Sequence, residues 1–298
     1  MIYTTSLQGI IPVLTIIDWV SLLIILLAGV PHGALDYELI QQQQILKDKT
    51  FLTLYTGLTF FGIAFWLAQP TLALLTFLAI TTIHFGRSDP LKFQFHQTNR
   101  KLLCWSMIYF QGGVVTILIP ITKWEFVLPL FEHLGTDPTI FGKTAPAFFS
   151  LWVFCGLFSL VTLFRDRNFL SIGLTTTMLA AAIVFPPLLG FALYFCGLHS
   201  LGHYQRGMLY LKRSVKKPSR RLILLTILTW LLMGGLTYIL EFNATVDASV
   251  IGGIFILLFA LTVPHMLIID LILPRRDPYW SLIWKTVSNN LPSKNKNH

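Results

Sequence analysis

The sequence predicts an all-α protein, a polytopic transmembrane helix bundle, and three observations support that prediction. The first is composition: 54% of the residues are hydrophobic, 12% are charged, and the mean hydropathy is +0.69, which is unusual for a soluble domain. The second is a succession of apolar segments near the ~20 residues that a helix needs to cross a bilayer. The third is that the basic residues fall in the short connections between those segments.

About nine spans are expected when the apolar segments are taken in chain order. Gln69-Pro70 separates the second from the third, and Pro186-Pro187 separates the sixth from the seventh. Because proline at such a position ends a helix, each break predicts a tight hairpin at one membrane face. The expected spans are 11–31, 51–69, 71–86, 102–122, 146–164, 169–185, 187–211, 222–240 and 249–273.

The distribution of charge predicts which end of each span is cytoplasmic. With nine spans, 20 of the 22 Lys and Arg residues lie on one side of the membrane, and only Lys123 and Lys143 lie on the other. The positive-inside rule then places the N-terminus outside and the C-terminus in the cytoplasm. We expect residues 1–274 to form one transmembrane domain and residues 275–298 to form a cytoplasmic interfacial tail.

Several function classes are excluded by motifs that the sequence lacks. It has no HExxH for a zinc intramembrane protease, no HxxHH run for a di-iron desaturase, and no GxxxxGK[ST] or GxGxxG for nucleotide chemistry. The sequence pI is near 9.6, but the basic residues show no aromatic interleaving, so nucleic acid is not an expected partner. The three cysteines are expected to be reduced, and no removable signal peptide is expected.

Four histidines stand in polar motifs within the apolar segments. They are His32 in GVPHGALD, His84 in TIHFGRSD, and His199 and His203 in GLHSLGHY. Imidazoles are costly in hydrocarbon unless they are paired or coordinated. Spans one, three, seven and nine all run towards the cytoplasm and carry their histidines in their last half, so we expect these four to meet His265 of the ninth span at one depth. The sequence therefore predicts a metal site in the cytoplasmic half of the bundle.

The spacing of His199 and His203 is suited to chelation. They are four residues apart, so on a helix both imidazoles project from one face and can hold one ion. A polar contact between packed helices is the alternative for such a pair. An all-histidine site suits Zn, Cu, Fe or Ni, and four imidazoles around an octahedral iron leave two positions open for oxygen.

Three further residues are candidates for supporting roles. Asp36 lies four residues after His32, and Asp89 lies five after His84. Each carboxylate is therefore placed to accept the second N–H of a ligating imidazole, and capping of a helix end is the alternative. We expect His265 to support the ligands by hydrogen bonding rather than to ligate.

The motifs GVPHGALD, HFGRSD, HSLGHY and VPHM, in this order over about residues 28 to 270, resemble those of the Brp/Blh family of bacterial and archaeal beta-carotene 15,15'-dioxygenases. Members of that family are integral membrane proteins that cleave beta-carotene at its central double bond with molecular oxygen, giving two molecules of all-trans-retinal. The resemblance implies that His32, His84, His199 and His203 match the iron-binding histidines of the family. It also implies Fe(2+) as the cofactor, a multi-pass location in the plasma membrane of a prokaryote, and a functional link to a microbial rhodopsin.

Two other functions stay open at this point. One is a membrane protein that binds haem or transports a metal ion, although haem ligation needs imidazoles on opposite faces of one ring. The other is a rhodopsin-associated assembly protein without catalytic activity, in which the histidines only pack helices. For the dioxygenase, a metal in the cytoplasmic half implies that the long carotenoid lies oblique or parallel to the membrane plane.

Overall fold

A computed structural model describes residues 14–88, 101–211, 219–242 and 245–276, and every regular element in these ranges is helical. The first five helices are α1 (Ile16–Gln42), α2 (Asp48–Ala68), α3 (Pro70–Ser88), α4 (Leu102–Thr122) and α5 (Trp124–His133). The other five are α6 (Pro138–Arg165), α7 (Phe169–Val184), α8 (187–210), α9 (Arg220–Glu241) and α10 (Val246–Arg275). The all-α prediction is confirmed for the described residues.

Seven of these helices are long and apolar enough to cross a membrane, and each coincides with one of the expected spans. They are α1, α2, α3, α4, α6, α9 and α10. The other two expected spans are helices as well: α7 has 16 residues, and α8 carries the polar GLHSLGHY motif. The chain is therefore a multi-pass membrane protein. The count of nine crossings and the orientation stay predictions, and the expected tail lies almost wholly outside the described residues.

Proline and capping residues explain where several helices begin. Both expected proline breaks are present, because α3 begins at Pro70 and α8 begins at 187. Proline fits the first position of a helix since no N–H is needed there. Asp137, Ser219 and Thr245 precede α6, α9 and α10, and each side chain accepts a hydrogen bond from a backbone N–H of the first turn.

Helix α10 is the centre of the bundle around which the site is built. It packs along α2 on one side and α9 on the other, and it also contacts α3. Helix α4 packs between α3 and α6 and is the most enclosed of the long helices, since 72% of an apolar stretch of 18 residues within it is buried. In α2 and α9 the buried shares are only 22% and 17%, so these two helices present most of their surface to lipid.

Five short stretches depart from regular α-helix geometry. Four are π-helical, and the fifth is a 3-10 turn directly after the first of them. π-helical turns occur frequently at functional sites, because they rotate the side chains that follow. The stretches are Ile25–Gly29, Val114–Leu118, Leu193–Ser200 and Leu267–Ile272, with the 3-10 turn at Val30–Ala34.

Candidate metal centre

Five histidines from four helices converge in one buried cluster. The His32 ring centre lies 5.4 Å from that of His199, 5.4 Å from that of His203 and 5.1 Å from that of His265. The His84 ring centre lies 4.8 Å from that of His199 and 5.1 Å from that of His265. All five side chains are buried. The structure thus brings together every histidine that the sequence placed at this depth.

The irregular turns lie where the histidines enter the cluster. His32 is in the 3-10 turn of α1, and His199 is in the π-helical stretch of α8. These two helices approach each other closely at Gly29, where a Cβ atom would lie 2.4 Å from the Phe195 ring. A side chain at Gly29 would therefore displace the Phe195 ring, which packs against the rings of His32 and His199.

Hydrogen bonds at Nδ1 orient three of the rings. The Nδ1 of His84 donates to Asp270 over 2.8 Å, the Nδ1 of His265 donates to Asp36 over 2.9 Å, and the Nδ1 of His32 donates to the carbonyl oxygen of Gly29. Carboxylate and carbonyl oxygens only accept hydrogen bonds, so Nδ1 carries the proton in each ring. When such a ring is neutral, its lone pair is on Nε2, the atom available to a metal.

Two carboxylates support the cluster, and one of them was not predicted. Asp36 was expected to accept a hydrogen bond from His32, but in the structure it accepts one from His265. It also accepts a hydrogen bond from the Tyr55 hydroxyl over 3.0 Å. Asp270 supports His84, and one of its oxygens lies 4.0 Å from the Nε of Arg87. The other predicted carboxylate, Asp89, lies outside the described residues.

The donor atoms fit a metal ion that takes nitrogen ligands. One ring nitrogen each from His32, His199 and His265 lies within 4.8 Å of the others. Nitrogens on opposite sides of an ion are about 4.2 Å apart, because each metal–imidazole bond is about 2.1 Å long, so these donors lie at most about 0.6 Å farther apart than a bound site needs. The Nε2 of His265 is buried, and no hydrogen-bond partner for it is found within the described part of the chain. A buried polar atom without a partner is costly, and coordination would satisfy it.

The histidines form one wall of an apolar cavity of about 330 Å³. His32, His84, His199 and His265 all line it, together with aromatic side chains that include Phe77 and Phe195. Threonine side chains also reach the wall, but those of Thr59, Thr81, Thr229 and Thr262 donate their hydroxyl protons to backbone carbonyls one turn earlier. The cavity therefore offers a long apolar molecule few polar groups other than the histidine site.

Comparison with known proteins identifies the family. A family model described as beta-carotene 15,15'-dioxygenase matches residues 23–273, a range that includes all five clustered histidines. The chain belongs to this family. A curated protein from an uncultured marine bacterium 66A03, named beta-carotene 15,15'-dioxygenase, is 32% identical over 267 residues, which cover 87% of this chain and 95% of that protein. No solved structure matches the chain. The resemblance drawn from the four motifs is confirmed.

The arrangement does not favour the haem alternative. Haem ligation places two imidazoles on opposite faces of a wide macrocycle. Here the His32 ring has three other imidazoles around it, at 5.1 to 5.4 Å between ring centres. A macrocycle bound to any one of these rings would displace its neighbours.

Proposed function

We propose that this protein is an iron-dependent dioxygenase that cleaves the central 15,15' double bond of beta-carotene with O2 and gives two molecules of all-trans-retinal. Membership of the family and the name of the bacterial relative support the activity. The observation that carries the proposal is the buried histidine cluster in the wall of an apolar cavity. This reaction balances without a further reductant, because one C=C bond breaks and each of its carbons takes one oxygen atom.

The cofactor that the proposal assigns is Fe(2+), held by the histidine cluster. One ring nitrogen each from His32, His199 and His265 lies within 4.8 Å of the others, and His84 and His203 complete the proposed set. The sequence analysis expected His265 to support the ligands, but we include it among them because its Nε2 is buried without a hydrogen-bond partner in the described residues. When bound, the iron supplies the oxygen-activating redox chemistry, which is within the range of metals that imidazole ligands suit.

The protein's own contribution is to orient the ligands and the polyene. Asp36 and Asp270 fix two imidazole rings with their Nε2 atoms directed into the cluster. The apolar cavity excludes water and holds the substrate with its central bond at the histidine wall, so the cleavage position is set by placement. No side chain is required as a general acid or base. We further propose that the polyene lies oblique or parallel to the membrane plane.

The cellular setting is also part of the proposal. Seven apolar helices support a membrane location, and we assign the chain to the plasma membrane of a prokaryote. Beta-carotene dissolves in the lipid of that membrane, so substrate and enzyme share one phase. The retinal formed there would supply a microbial rhodopsin.

Metal exchange on the purified protein tests the proposed function. The metal is removed with a chelator, and one portion is reloaded with iron and another with zinc before beta-carotene and oxygen are supplied. We expect two molecules of retinal per carotene lost from the iron-loaded protein and none from the zinc-loaded protein. His265→Ala should lose iron. His133→Ala is the control and should retain it, because His133 lies in α5, outside the cluster, and its Nδ1 is hydrogen-bonded to the carbonyl oxygen of Pro129. Iron-loaded protein that forms no retinal, or products of unequal length, would contradict the proposal.

A further inference from the structure

The cavity at the histidine cluster continues to the outer surface of the bundle between α2 and α9. On the α2 side its lining includes Leu52, Thr56 and Phe60, and on the α9 side it includes Leu225 and Leu228. Three of these side chains are both cavity lining and lipid-facing surface, with exposed fractions of 42% for Leu52, 55% for Phe60 and 59% for Leu228. The cavity is therefore open sideways, towards the membrane interior.

The opening follows from how the two helices pack. Both α2 and α9 pack along α10, but they make no extensive contact with each other within the described ranges. Leu258, Leu261 and Thr262 of α10 line the same cavity as residues of α2 and α9, and His265 follows one turn later. A path lined by α10 thus leads from the lipid-facing surface to the metal centre.

The position and chemistry of the opening match a substrate dissolved in the bilayer. Leu52 and Phe60 are eight residues apart, so the opening extends about 12 Å along α2 at a rise of 1.5 Å per residue. Most of its lining in α2 and α9 lies in the first halves of those helices, and most of its lining in α10 lies in the second half. In the topology predicted from the sequence these halves share one leaflet. An apolar polyene that enters here stays out of water, which avoids a transfer cost of about 25 cal/mol for each Å² exposed.

We propose that beta-carotene reaches the metal centre sideways from the hydrocarbon core, between α2 and α9, with Thr56 and Leu228 on opposite sides of the entrance. The identity of the substrate rests on the proposed function; the entrance itself rests on the cavity and its exposed lining. Because Thr56 and Leu228 face lipid as well as the cavity, larger side chains there narrow the path without entering the packed core.

Matched tryptophan substitutions test the entrance. Thr56→Trp and Leu228→Trp narrow it from its two sides. Thr53→Trp and Leu231→Trp are the controls, because Thr53 and Leu231 are exposed residues of the same helices that do not line the cavity. Uptake of beta-carotene from liposomes is measured on metal-free protein, so that turnover plays no part. Retinal formation by the iron-loaded proteins is measured separately.

We expect Thr56→Trp and Leu228→Trp to slow uptake by about tenfold or more, because passage must then displace a large aromatic side chain. The two controls should take up carotene at the rate of the unmodified chain. Leu228→Ala widens the entrance and should take up carotene at least as fast as the unmodified chain, which separates a steric effect from misfolding. Iron content should be unchanged in all five variants.

Two results would overturn the entrance. One is equal uptake by all four tryptophan variants, which would leave lipid chains as the occupants of the opening. The other is a change of oligomeric state in Thr56→Trp and Leu228→Trp alone, which would assign the opening to contact with a second copy of this chain. Selective uptake without any retinal from iron-loaded, unmodified protein would keep the entrance and refute the cleavage activity instead.

Discussion

Replacing Asp36 with asparagine should weaken iron binding through its effect on His265. Both carboxylate oxygens of Asp36 lie 2.9 Å from the Nδ1 of His265, and the Asp36 side chain is 1% exposed. The carboxylate fixes the ring orientation and makes Nε2 a stronger donor, and the neutral amide does both less well. Losing such a partner typically reduces metal affinity by about 10–100-fold, which corresponds to about 1.4–2.8 kcal/mol.

The affinity is measured by titrating metal-free protein with Fe(2+) under anaerobic conditions against a competing chelator. Tyr55→Phe removes one donor to Asp36 over 3.0 Å but leaves the His265 contact, so it should cost only about 0.5–1.5 kcal/mol of binding free energy. Asp247→Asn is the control, since Asp247 accepts a hydrogen bond from the backbone N–H of Leu14 at the other end of α10. Its iron affinity should be unchanged.

Iron affinity equal to that of the unmodified chain in Asp36→Asn would refute this reasoning. The metal-free proteins provide a second check. Because asparagine replaces a buried charge with a neutral group of the same shape, the metal-free fold should lose little stability. If metal-free Asp36→Asn unfolds much more easily than the unmodified chain, the role of Asp36 is structural and does not act through the metal.

Three further predictions concern the ligands, the helix packing and the metal. His199→Ala and His203→Ala should each abolish metal retention while the protein still inserts into the membrane; iron content comparable to that of the unmodified chain would contradict the ligand set. Gly86→Ala should lower the unfolding temperature, because the new Cβ would lie 1.9 Å from the carbonyl oxygen of Ile108 and overpacking typically costs about 1–3 kcal/mol. Gly57→Ala is the control, since nothing lies within 4 Å of a Cβ there; equal unfolding temperatures would show that α3 and α4 separate without cost. Removing the metal with a chelator should lower the free energy of unfolding by about 2.7 kcal/mol, relative to protein in iron at 100 times the dissociation constant. Thermal unfolding that does not depend on the metal concentration would argue against a bound ion.

The parts of the site that depend on helix order could be predicted from the sequence. Apolar length fixes where helices cross the membrane, and the alternating direction of successive spans places their second halves at one face or the other. From this alternation the sequence analysis predicted that His32, His84 and His265, on three helices far apart in the chain, lie close together. No comparable rule operates on the other connections, and only the two hairpins marked by proline were predicted.

The carboxylate pairing depends on helix irregularities that the sequence does not reveal. The spacing of four residues put Asp36 beside His32, but the 3-10 turn Val30–Ala34 changes the register, and Asp36 meets His265 instead. Asp270 was missed because it stands in the apolar run LIIDLI. A lone acid in a membrane span is a signal in itself, since such residues are costly unless they are paired or functional.

The lateral opening lay beyond sequence analysis for a different reason. It depends on α2 and α9 both packing on α10 with little contact between them. Apolar residues that face lipid and apolar residues that line a cavity have the same pattern in the sequence. Leu228 and Leu231 are both exposed leucines of α9, and only the structure shows that Leu228 lines the cavity whereas Leu231 does not.

The central claim, that the histidine cluster carries out central cleavage of beta-carotene, is tested most directly in a bacterium that produces beta-carotene. The unmodified chain and His199→Ala are expressed side by side, their membrane levels are matched, and retinal and residual carotene are quantified by chromatography. We predict two molecules of retinal per carotene lost from the unmodified chain and none from His199→Ala. Retinal at equal levels from both chains, or no retinal from the unmodified chain at normal membrane levels, would contradict the account.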